Sequence, residues 1–331
     1  MRALVTGGTG FLGSRLALRL HEAGWEVTAT GRRKDQGDAL QRKGIRFFPA
    51  DLRDEERTAA ACRGQQAVFH CGALSASWGP YRDFYDCNVK GTEHIIAGCK
   101  RHEVERLIHV STPSVYFGGA DRTNVRETDG VLRRQASAYA ATKRLAELAV
   151  ERACSEGLPA VMIRPRALFG PGDTTILPRL IEASRTQGIP LIDGGGALID
   201  LTYVDNAVEA LLRCQAAPDD IIGRAYNITN GEPMPFVEAA EKLFGKLGLP
   251  LRYKPLPYAA TYSAAALMEL ASWLLPGGRE PRLTRAVVGM LGRSQTLDIQ
   301  AARKDLGYSP VISVDAGMDA FARWWREKHE R

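Results

Sequence analysis

Tyr139 and Lys143 are two residues with acid–base chemistry that stand four positions apart. They lie in the strongly helical run SAYAATKRLAELAVERA. That spacing places both side chains on one face of a helix. A free tyrosine has a pKa near ~10, and a neighbouring lysine ammonium favours the phenolate and so lowers that pKa. Ser111 and Thr112 end an apolar run upstream, where they are able to hold a substrate oxygen against the tyrosine. Together these four residues predict a site that moves a proton to or from an oxygen atom.

A glycine-rich turn near the start of the chain predicts the binding of a dinucleotide. The segment TGGTGFLGSRL follows an apolar run and opens a helix, and it contains Gly7, Gly8, Gly10 and Gly13. Glycines at this spacing permit a tight turn and close approach of the backbone to a pyrophosphate, which the N–H groups of the following helix bind. The alternative is an ordinary strand-to-helix turn, which the combined pattern and context disfavour.

The end of the second predicted strand distinguishes the two nicotinamide dinucleotides. An acidic residue about 20 positions after the glycines binds the ribose hydroxyls of NAD, but this chain reads Gly31, Arg32, Arg33 there. Because glycine leaves room for a 2′-phosphate and arginine pairs with it, we predict NADP(H). NAD is the alternative, with both arginines as solvated loop residues. Asp51 ends the third strand, where it is placed to accept a hydrogen bond from the adenine amino group.

These segments belong to a regular alternation of strand-like and helix-like runs. The strand-like runs end in small or polar residues and read RALVTG, WEVTATGR, IRFFPADL, AVFHCGAL, RLIHVSTPSVY and AVMIRPRALFG. This alternation predicts an α/β fold with a Rossmann-type, doubly wound parallel sheet. Because ligands of such sheets bind at the carboxyl ends of the strands, the residues above are expected to share one crevice.

The alternation is lost after Gly170, where prolines and glycines become frequent, although IDLTYV and AYNIT still read as strands. We therefore predict an NADP-binding domain over residues 1–170 plus about 200–230. The remaining residues, 171–199 and 231–331, are expected to form a smaller, interleaved C-terminal substrate-binding domain.

Composition and charge narrow the classes of protein. Hydrophobic residues make up 45% of the 331 residues and charged residues 25%, which excludes a mainly disordered chain. The net charge of +6 is spread over 44 basic and 38 acidic residues, which favours a surface that tolerates anionic cofactors over a nucleic-acid groove. The six cysteines have no metal-ligand spacing, so no metal site and no disulfide framework is predicted. No run is long and apolar enough to span a membrane, and a strand begins almost at Met1, so we expect a cytoplasmic location.

The motifs together resemble those of the extended short-chain dehydrogenase/reductases, the superfamily of NAD-dependent epimerases and dehydratases. The matching segments are TGGTGFLG, ADL, NVKGT, VSTPSVY, YAATK, RPRALFGPGD, DLTYVDN and YNITNGEP. The resemblance implies that Tyr139 is the general acid/base, Lys143 holds the nicotinamide ribose, and Thr112 orients the substrate carbonyl. Ser111 is an auxiliary catalytic candidate, and Asn88 of NVKGT is expected to bridge strands. The cofactor-binding residues that the resemblance implies are Gly7, Thr9, Gly10, Phe11, Leu12, Arg32, Arg33, Asp51, Leu52, Ala73, Tyr139, Lys143 and Pro165.

One position favours a particular branch of this superfamily. Its nucleotide-sugar enzymes usually carry an arginine that grips the diphosphate, whereas this chain has Ile199 before Asp200. The DLTYVDN segment resembles the 3β-hydroxysteroid dehydrogenases, the sterol-4α-carboxylate 3-dehydrogenases and the 2-alkyl-3-oxoalkanoate reductases. The resemblance implies an NADP(H)-dependent oxidoreductase that interconverts a hydrophobic ketone, a β-oxo acid or a 3-keto sterol-like compound, and its secondary alcohol. The alternatives are a nucleotide-sugar epimerase or dehydratase with bound NAD, and a catalytically silent cofactor sensor.

An apolar segment in the second half of the chain, Tyr258–Leu275, carries a single charged residue, Glu269. A helix of this composition is able to line a substrate channel, to rest peripherally on a membrane surface, or to form part of the core of the smaller domain. The expected partner is a small hydrophobic carbonyl or alcohol substrate. The resemblance also implies a homodimer through helices near Gly91–Lys100 and Tyr139–Arg152.

Overall fold

The computed structural model describes residues 1–274 and 280–329, and its strands and helices alternate over most of the chain. The strands are β1 (Arg2–Thr6), β2 (Glu26–Gly31), β3 (Arg46–Pro49), β4 (Ala67–His70), β5 (Arg106–Val110), β6 (Arg122–Val125), β7 (Ala160–Pro165), β8 (Leu168–Phe169), β9 (Ile189–Ile192), β10 (Leu198–Ile199), β11 (Thr202–Tyr203), β12 (Ala225–Ile228), β13 (Met234–Pro235), β14 (Tyr253–Leu256) and β15 (Gln295–Leu297). The α-helices are α1 (Phe11–Glu22), α2 (Lys34–Gln41), α3 (Glu55–Ala61), α4 (Tyr81–Phe84), α5 (Gly91–Arg101), α6 (Ala138–Ser155), α7 (Leu177–Thr186), α8 (Val204–Ala216), α9 (Phe236–Leu247), α10 (Tyr258–Leu274), α11 (Arg285–Gly292), α12 (Gln300–Leu306) and α13 (Val314–His329).

Seven parallel strands form the central sheet in the order β12-β7-β5-β4-β1-β2-β3. The inner strands are apolar on both faces because helices cover both sides, as parallel sheets require. Apolar residues of α1, α8 and α12 pack on one face, and those of α5 and α6 pack on the other. The predicted Rossmann-type sheet is confirmed, and the strand order reverses between β1 and β4, where such sheets bind their ligands.

The second part of the molecule contains four two-stranded pairs and its own apolar core. The pairs are β10 with β13, β11 with β8, β14 with β9, and β15 with β6. Their core takes side chains from α7, α9, α11 and α13. IDLTYV, predicted as one strand, forms the short strands β10 and β11, whereas AYNIT supplies β12 to the central sheet. The division into a 1–170 plus 200–230 domain and a 171–199 plus 231–331 domain stays a prediction.

Asparagine side chains hold the two parts of the molecule together. Asn206 Oδ1 accepts hydrogen bonds from the backbone N–H groups of Val311 and Ile312 at 2.9 and 3.1 Å. Asn206 Nδ2 donates to Asn230 Oδ1 at 2.8 Å, and Asn230 Nδ2 donates to the carbonyl of Ile312 at 2.8 Å. The DLTYVDN and YNITNGEP motifs therefore anchor the segment that leads into α13.

Helix α10 lies on the surface, so the expectation that it forms part of a core is wrong. Only Thr261 and Ala265 are buried in it, whereas Leu267, Leu270, Trp273 and Leu274 are 68%, 55%, 58% and 75% exposed. The sequence did not indicate this outcome because apolar residues surround the helix, and no polar face marks the side that meets solvent. Leu275, the last residue of the predicted segment, lies outside the described residues.

None of the helices in residues 1–274 and 280–329 is long and apolar enough to cross a membrane. Within the same residues, histidine, cysteine and acidic side chains form no group that could hold a metal ion.

Candidate active site

Tyr139 and Thr112 meet at the carboxyl edge of the sheet. Strand β5 ends at Val110, and Thr112 caps the 3₁₀ turn Pro113–Tyr116 by accepting a hydrogen bond from Ser114 N at 3.2 Å. Helix α6 is capped by the side chain of Ser137, which leaves Tyr139 in its first turn. The hydroxyl group of Tyr139 lies near the side chain of Thr112, which lowers the pKa of Tyr139, and Thr112 Oγ1 donates to Ser114 Oγ at 3.0 Å. Two hydroxyl groups therefore converge where a substrate oxygen is expected.

The Tyr139 hydroxyl is held in its protonated form. Burial raises the pKa of Tyr139, and the nearby Thr112 side chain lowers it without offsetting that effect. Lys143, which was expected to lower this pKa, directs its ammonium to His109 and Val110 at β5. At neutral pH the tyrosine is thus a proton donor rather than a phenolate base.

Lys143 is a buried ammonium whose acceptors are uncharged. Its Nζ donates to the carbonyl oxygen of Val110 at 2.7 Å and lies 3.2 Å from His109 Nε2. Burial lowers the pKa of Lys143 to about 8, against the attraction of Glu147. An ammonium group has three N–H donors, and these two contacts use two of them. The third is left to reach a hydroxyl group of a bound ligand.

Two buried histidines lie beneath Lys143. The rings of His70 and His109 lie 5.1 Å apart between centroids, and burial lowers the pKa of His70 to about 3 and that of His109 well below the ordinary value. His109 is therefore neutral. Its Nε2 accepts a hydrogen bond from the Lys143 ammonium, so the ring hydrogen is assigned to Nδ1. His70 is bonded on both sides by hydroxyl groups, Thr6 at 2.7 Å and Thr92 at 3.0 Å.

Glu147 fixes the lower part of α6 to the sheet. Arg164 donates to its two carboxylate oxygens at 2.7 and 2.9 Å, and Arg144 adds a third bond at 3.0 Å. Burial raises the pKa of Glu147, but Arg164, Ser111 and Arg144 bring it below the ordinary value. Ser111, predicted as an auxiliary catalytic residue, is thus directed towards this carboxylate, and its buried hydroxyl makes no hydrogen bond of normal geometry with the described residues.

Asn88 joins the loop after β4 to α6, rather than bridging two strands as expected. Its Oδ1 accepts from Leu74 N at 2.7 Å, and its Nδ2 donates to the Leu74 carbonyl and to Thr142 Oγ1, both at 3.1 Å. Thr142 immediately precedes Lys143, so Asn88 sets the position of the lysine relative to that loop.

The glycine turn between β1 and α1 leaves space that any larger side chain would fill. A Cβ atom on Gly13 would lie 2.3 Å from the carbonyl oxygen of Gly7, and one on Gly7 would lie 2.8 Å from Gly72 Cα. Helix α1 then begins at Phe11 without a side-chain cap and without an acidic residue in its first turn. Free N–H groups at such a helix end bind anions, so this turn fits a dinucleotide pyrophosphate.

At the end of β2, Gly31 lies in close contact with Thr9. A Cβ on Gly31 would lie 2.3 Å from Thr9 Oγ1, so a residue larger than glycine would displace Thr9. Arg32 and Arg33 are exposed and form no hydrogen bond or ion pair with the described residues. Both side chains are available to an anion at this edge of the sheet.

The other predicted cofactor residues follow the ends of neighbouring strands. Asp51 after β3 accepts from Arg53 N and Nε at Oδ1, both at 3.0 Å, and from Arg53 Nη2 at Oδ2 at 2.6 Å, so Oδ2 retains room for a further donor. Leu52 packs against Gly91 and Gly72, and Ala73 follows Gly72 after β4. The residues that line this edge are Gly7, Thr9, Gly10, Phe11, Leu12, Arg32, Arg33, Asp51, Leu52, Ala73 and Pro165.

The position that was predicted to distinguish the substrates is apolar. Ile199 pairs with Met234 in the β10–β13 ribbon and packs against the second core, so no cation stands at this position. The loop after β4 reaches the end of α10, where the rings of Trp78 and Trp273 lie 5.0 Å apart. Trp273 belongs to the exposed apolar face of α10 described above.

The sequence reasoning did not identify His109, Glu147 or Arg166 as parts of the site. The signal for His109 was available, because it precedes Ser111 by two residues on a strand and so shares its face. Arg164 lies on β7 and Arg166 follows its last residue. The sequence does not show which of the two arginines has a carboxylate partner.

The chain is similar to known proteins over most of its length. The chain matches the NAD dependent epimerase/dehydratase family over residues 3–229. It is 36% identical over 323 residues to a 2-alkyl-3-oxoalkanoate reductase of Stenotrophomonas maltophilia (strain K279a), covering 96% of this chain and 97% of that protein. It is 31% identical over 333 residues to the decarboxylating sterol-4-alpha-carboxylate 3-dehydrogenase of Homo sapiens, covering 98% of this chain and 88% of that protein.

A solved structure supports the fold alone. The UDP-glucuronic acid 4-epimerase of Bacillus cereus in complex with NAD has a TM-score of 0.79 and 21% identity, covering 100% of this chain and 98% of the other. The predicted resemblance is confirmed, as is the prediction of an NAD(P)-dependent enzyme that acts on hydroxyl groups. The chain belongs to the NAD dependent epimerase/dehydratase family.

Proposed function

We propose that the protein is an NADP(H)-dependent reductase of hydrophobic ketones, with Tyr139 as the proton donor. The observation that carries this proposal is the convergence of the Tyr139 and Thr112 hydroxyl groups, one helical turn from the buried ammonium of Lys143. The carboxyl edge of a doubly wound sheet, where these residues lie, is the place where such folds bind a dinucleotide.

The residues of the chain have separate parts in this reaction. The nicotinamide group, when bound, supplies or accepts a hydride at the carbonyl carbon. Thr112 and Tyr139 form hydrogen bonds to the carbonyl oxygen, and Tyr139 gives that oxygen its proton. Lys143 donates to a ribose hydroxyl while Val110 and His109 fix its direction. Because burial raises the pKa of Tyr139, the resting site is suited to reduction.

The phosphorylated cofactor is supported by charge at the end of β2. Arg32 and Arg33 have no partner among residues 1–274 and 280–329, and no acidic residue stands beside Gly31. Arginine pairs with phosphate through two parallel hydrogen bonds, whereas a carboxylate at this place would select unphosphorylated NAD.

The substrate class is supported by the apolar wall of the crevice and by the relatives. Ile199 has no group that could pair with a nucleotide diphosphate, which disfavours the epimerase alternative. Leu267, Leu270 and Trp273 offer apolar surface near the loop after β4. The names of the two relatives describe substrates that carry a carboxylate beside a keto or hydroxyl group. The silent-sensor alternative leaves the Thr112–Tyr139 pair without a use.

Three further features stay predictions. They are the cytoplasmic location, the peripheral contact of α10 with a membrane, and the homodimer through α5 and α6. Leu148 on α6 is 40% exposed and available to a second chain.

Tyr139→Phe keeps the ring and removes the exchangeable proton. We expect turnover of an aliphatic β-oxo acid to fall by ~10² or more while the affinity for NADPH is retained, as measured by NADPH absorbance and fluorescence titration. Tyr253→Phe, in the β14 strand of the second part, is the control and is expected to behave like the unchanged protein. Near-normal turnover by Tyr139→Phe would show that another group donates the proton.

Arg32→Ala tests the choice of cofactor. Charge-assisted hydrogen bonds contribute about 1.5–3 kcal/mol each, so the unchanged protein is expected to bind NADPH at least about tenfold more tightly than NADH. The variant should lose most of that preference and keep its affinity for NADH. Arg63→Ala removes an exposed arginine at the opposite edge of the sheet and serves as the control. Equal dissociation constants for the two cofactors in the unchanged protein would contradict the proposal.

His109→Phe and His109→Gln separate the volume of this side chain from its role as an acceptor. Lys143 is an ammonium below its pKa of about 8, so activity should fall as the pH rises through that value. Phenylalanine removes the acceptor, which destabilises the ammonium and should move this alkaline limb to lower pH by about one unit. Glutamine retains an acceptor and should leave the limb nearly in place. Identical pH profiles of kcat for all three proteins would contradict this role.

A further inference from the structure

Arg166 is a buried arginine that forms no ion pair with the described residues, although the buried carboxyl group of Asp200 attracts its charge. It follows the carboxyl end of β7, and its side chain is 7% exposed. Its Nη2 donates to Gln295 Oε1 at 2.9 Å, and its Cζ lies 4.8 Å from the ring centroid of Phe117. Its Nε is buried and has no hydrogen-bond partner among the described residues, and no ion pair joins it to a carboxylate of those residues.

The neighbouring arginine shows what a satisfied guanidinium looks like in this protein. Arg164, two residues earlier, is also buried, and it donates to both carboxylate oxygens of Glu147. Its Cζ lies 5.0 Å from the ring centroid of Tyr116, so the two arginines stand over successive aromatic rings. The difference between them is the ion pair. Helix α6 supplies Arg164 with a hydrogen-bonded carboxylate, whereas Asp200 attracts Arg166 without forming an ion pair, and Asp200 Oδ1 is itself buried without a hydrogen-bond partner among the described residues.

The charge on Arg166 persists at neutral pH. Burial lowers the pKa of Arg166 to about 10, against the attraction of Asp200. Asp200 forms no ion pair with it, and burial raises the pKa of Asp200. A buried cation without a partner is strongly unfavourable. A guanidinium that is oriented by a ring and an amide, with its Nε–H edge unused, is instead prepared for a planar anion.

Arg166 lies beside the residues that orient the substrate oxygen. Strands β5 and β7 pair with Val110 opposite Ile163, so Thr112 and Arg166 both lie just beyond the same edge of the sheet. Neighbouring strands are about 4.8 Å apart. Arg166 follows Arg164 by two residues, just past the end of β7, and Arg164 is bonded to Glu147 of α6, the helix that carries Tyr139.

We propose that Arg166 binds the carboxylate of the substrate, so that the ketones reduced by this enzyme are β-oxo acids; this inference rests on the proposed function. In a β-oxo acid a single carbon atom separates the carboxylate from the ketone. An anion held by Arg166 therefore sets the distance and direction of the carbonyl group that Thr112 and Tyr139 receive. Arg166 acts as a specificity-determining residue, and the proton still comes from Tyr139.

The experiment compares a 2-alkyl-3-oxo acid with its methyl ester, because the two share the ketone and differ in charge. We expect the unchanged protein to prefer the acid by tenfold or more in kcat/KM. Arg166→Met should lower kcat/KM for the acid by about tenfold to hundredfold, mainly through KM, and change that for the ester less than threefold. Arg224→Met removes an exposed arginine at the opposite end of β12 and controls for net charge. Arg166→Lys keeps the charge without the fork and should lie between the two, and it replaces Arg166→Met if that variant does not fold.

A second readout does not need turnover. The corresponding 3-hydroxy acid, added with NADP, should raise the Tm of the unchanged protein more than its methyl ester does, and Arg166→Met should abolish that difference. If neither ketone is reduced, the proposed function is wrong, and the Tm comparison alone decides whether the carboxylate site exists. An acid-to-ester ratio that is the same in the unchanged protein and in Arg166→Met would overturn the inference.

Discussion

The burial of one lysine ammonium at the carboxyl edge of the sheet is the constraint on which the rest of the site depends. Lys143 has been removed from water and is held by a carbonyl oxygen and a neutral imidazole, so its charge is only partly compensated. Glu147, one turn further along α6, is engaged by two arginines and attracts the ammonium from a distance. Under the proposed function, a dinucleotide hydroxyl at the third N–H of Lys143 would complete this arrangement.

The sheet keeps this arrangement rigid because its contacts come from several strands. His109 and Val110 belong to β5, Arg164 belongs to β7, and Asn88 ties the loop after β4 to α6 through Thr142. Tyr139 is placed by the first turn of the same helix, which Ser137 caps. A displacement of α6 would therefore disturb the proton donor, the ammonium and the Glu147–Arg164 pair together. The YAATK motif is therefore connected to residues well outside it.

Much of the fold followed from the sequence, because hydrophobic runs ending in small residues leave few alternatives to a parallel sheet. The positions of Tyr139, Lys143, Thr112 and the glycine turn followed from the same logic. The direction of side chains did not. Ser111 was expected at the substrate, yet its side chain is directed towards Glu147, and the sequence did not indicate that Thr9 packs against Gly31. The direction of each of these side chains depends on contacts with residues that are distant in the sequence.

The surface of α10 and the pairing of buried arginines were hidden for a related reason. A helix that is apolar on all sides does not reveal which face is covered, and Arg164 and Arg166 look alike in the sequence although only one has a carboxylate partner. In both cases the missing information is tertiary.

The most direct measurement of the central claim is kcat/KM with NADPH across a homologous series of 2-alkyl-3-oxo acids, with UDP- and dTDP-sugars assayed alongside. Each added CH₂ that reaches apolar surface contributes about 0.8 kcal/mol, which is roughly a fourfold gain. The account predicts that kcat/KM climbs with chain length until the apolar wall is covered, and that no nucleotide sugar is converted. A flat series together with turnover of a nucleotide sugar would contradict it.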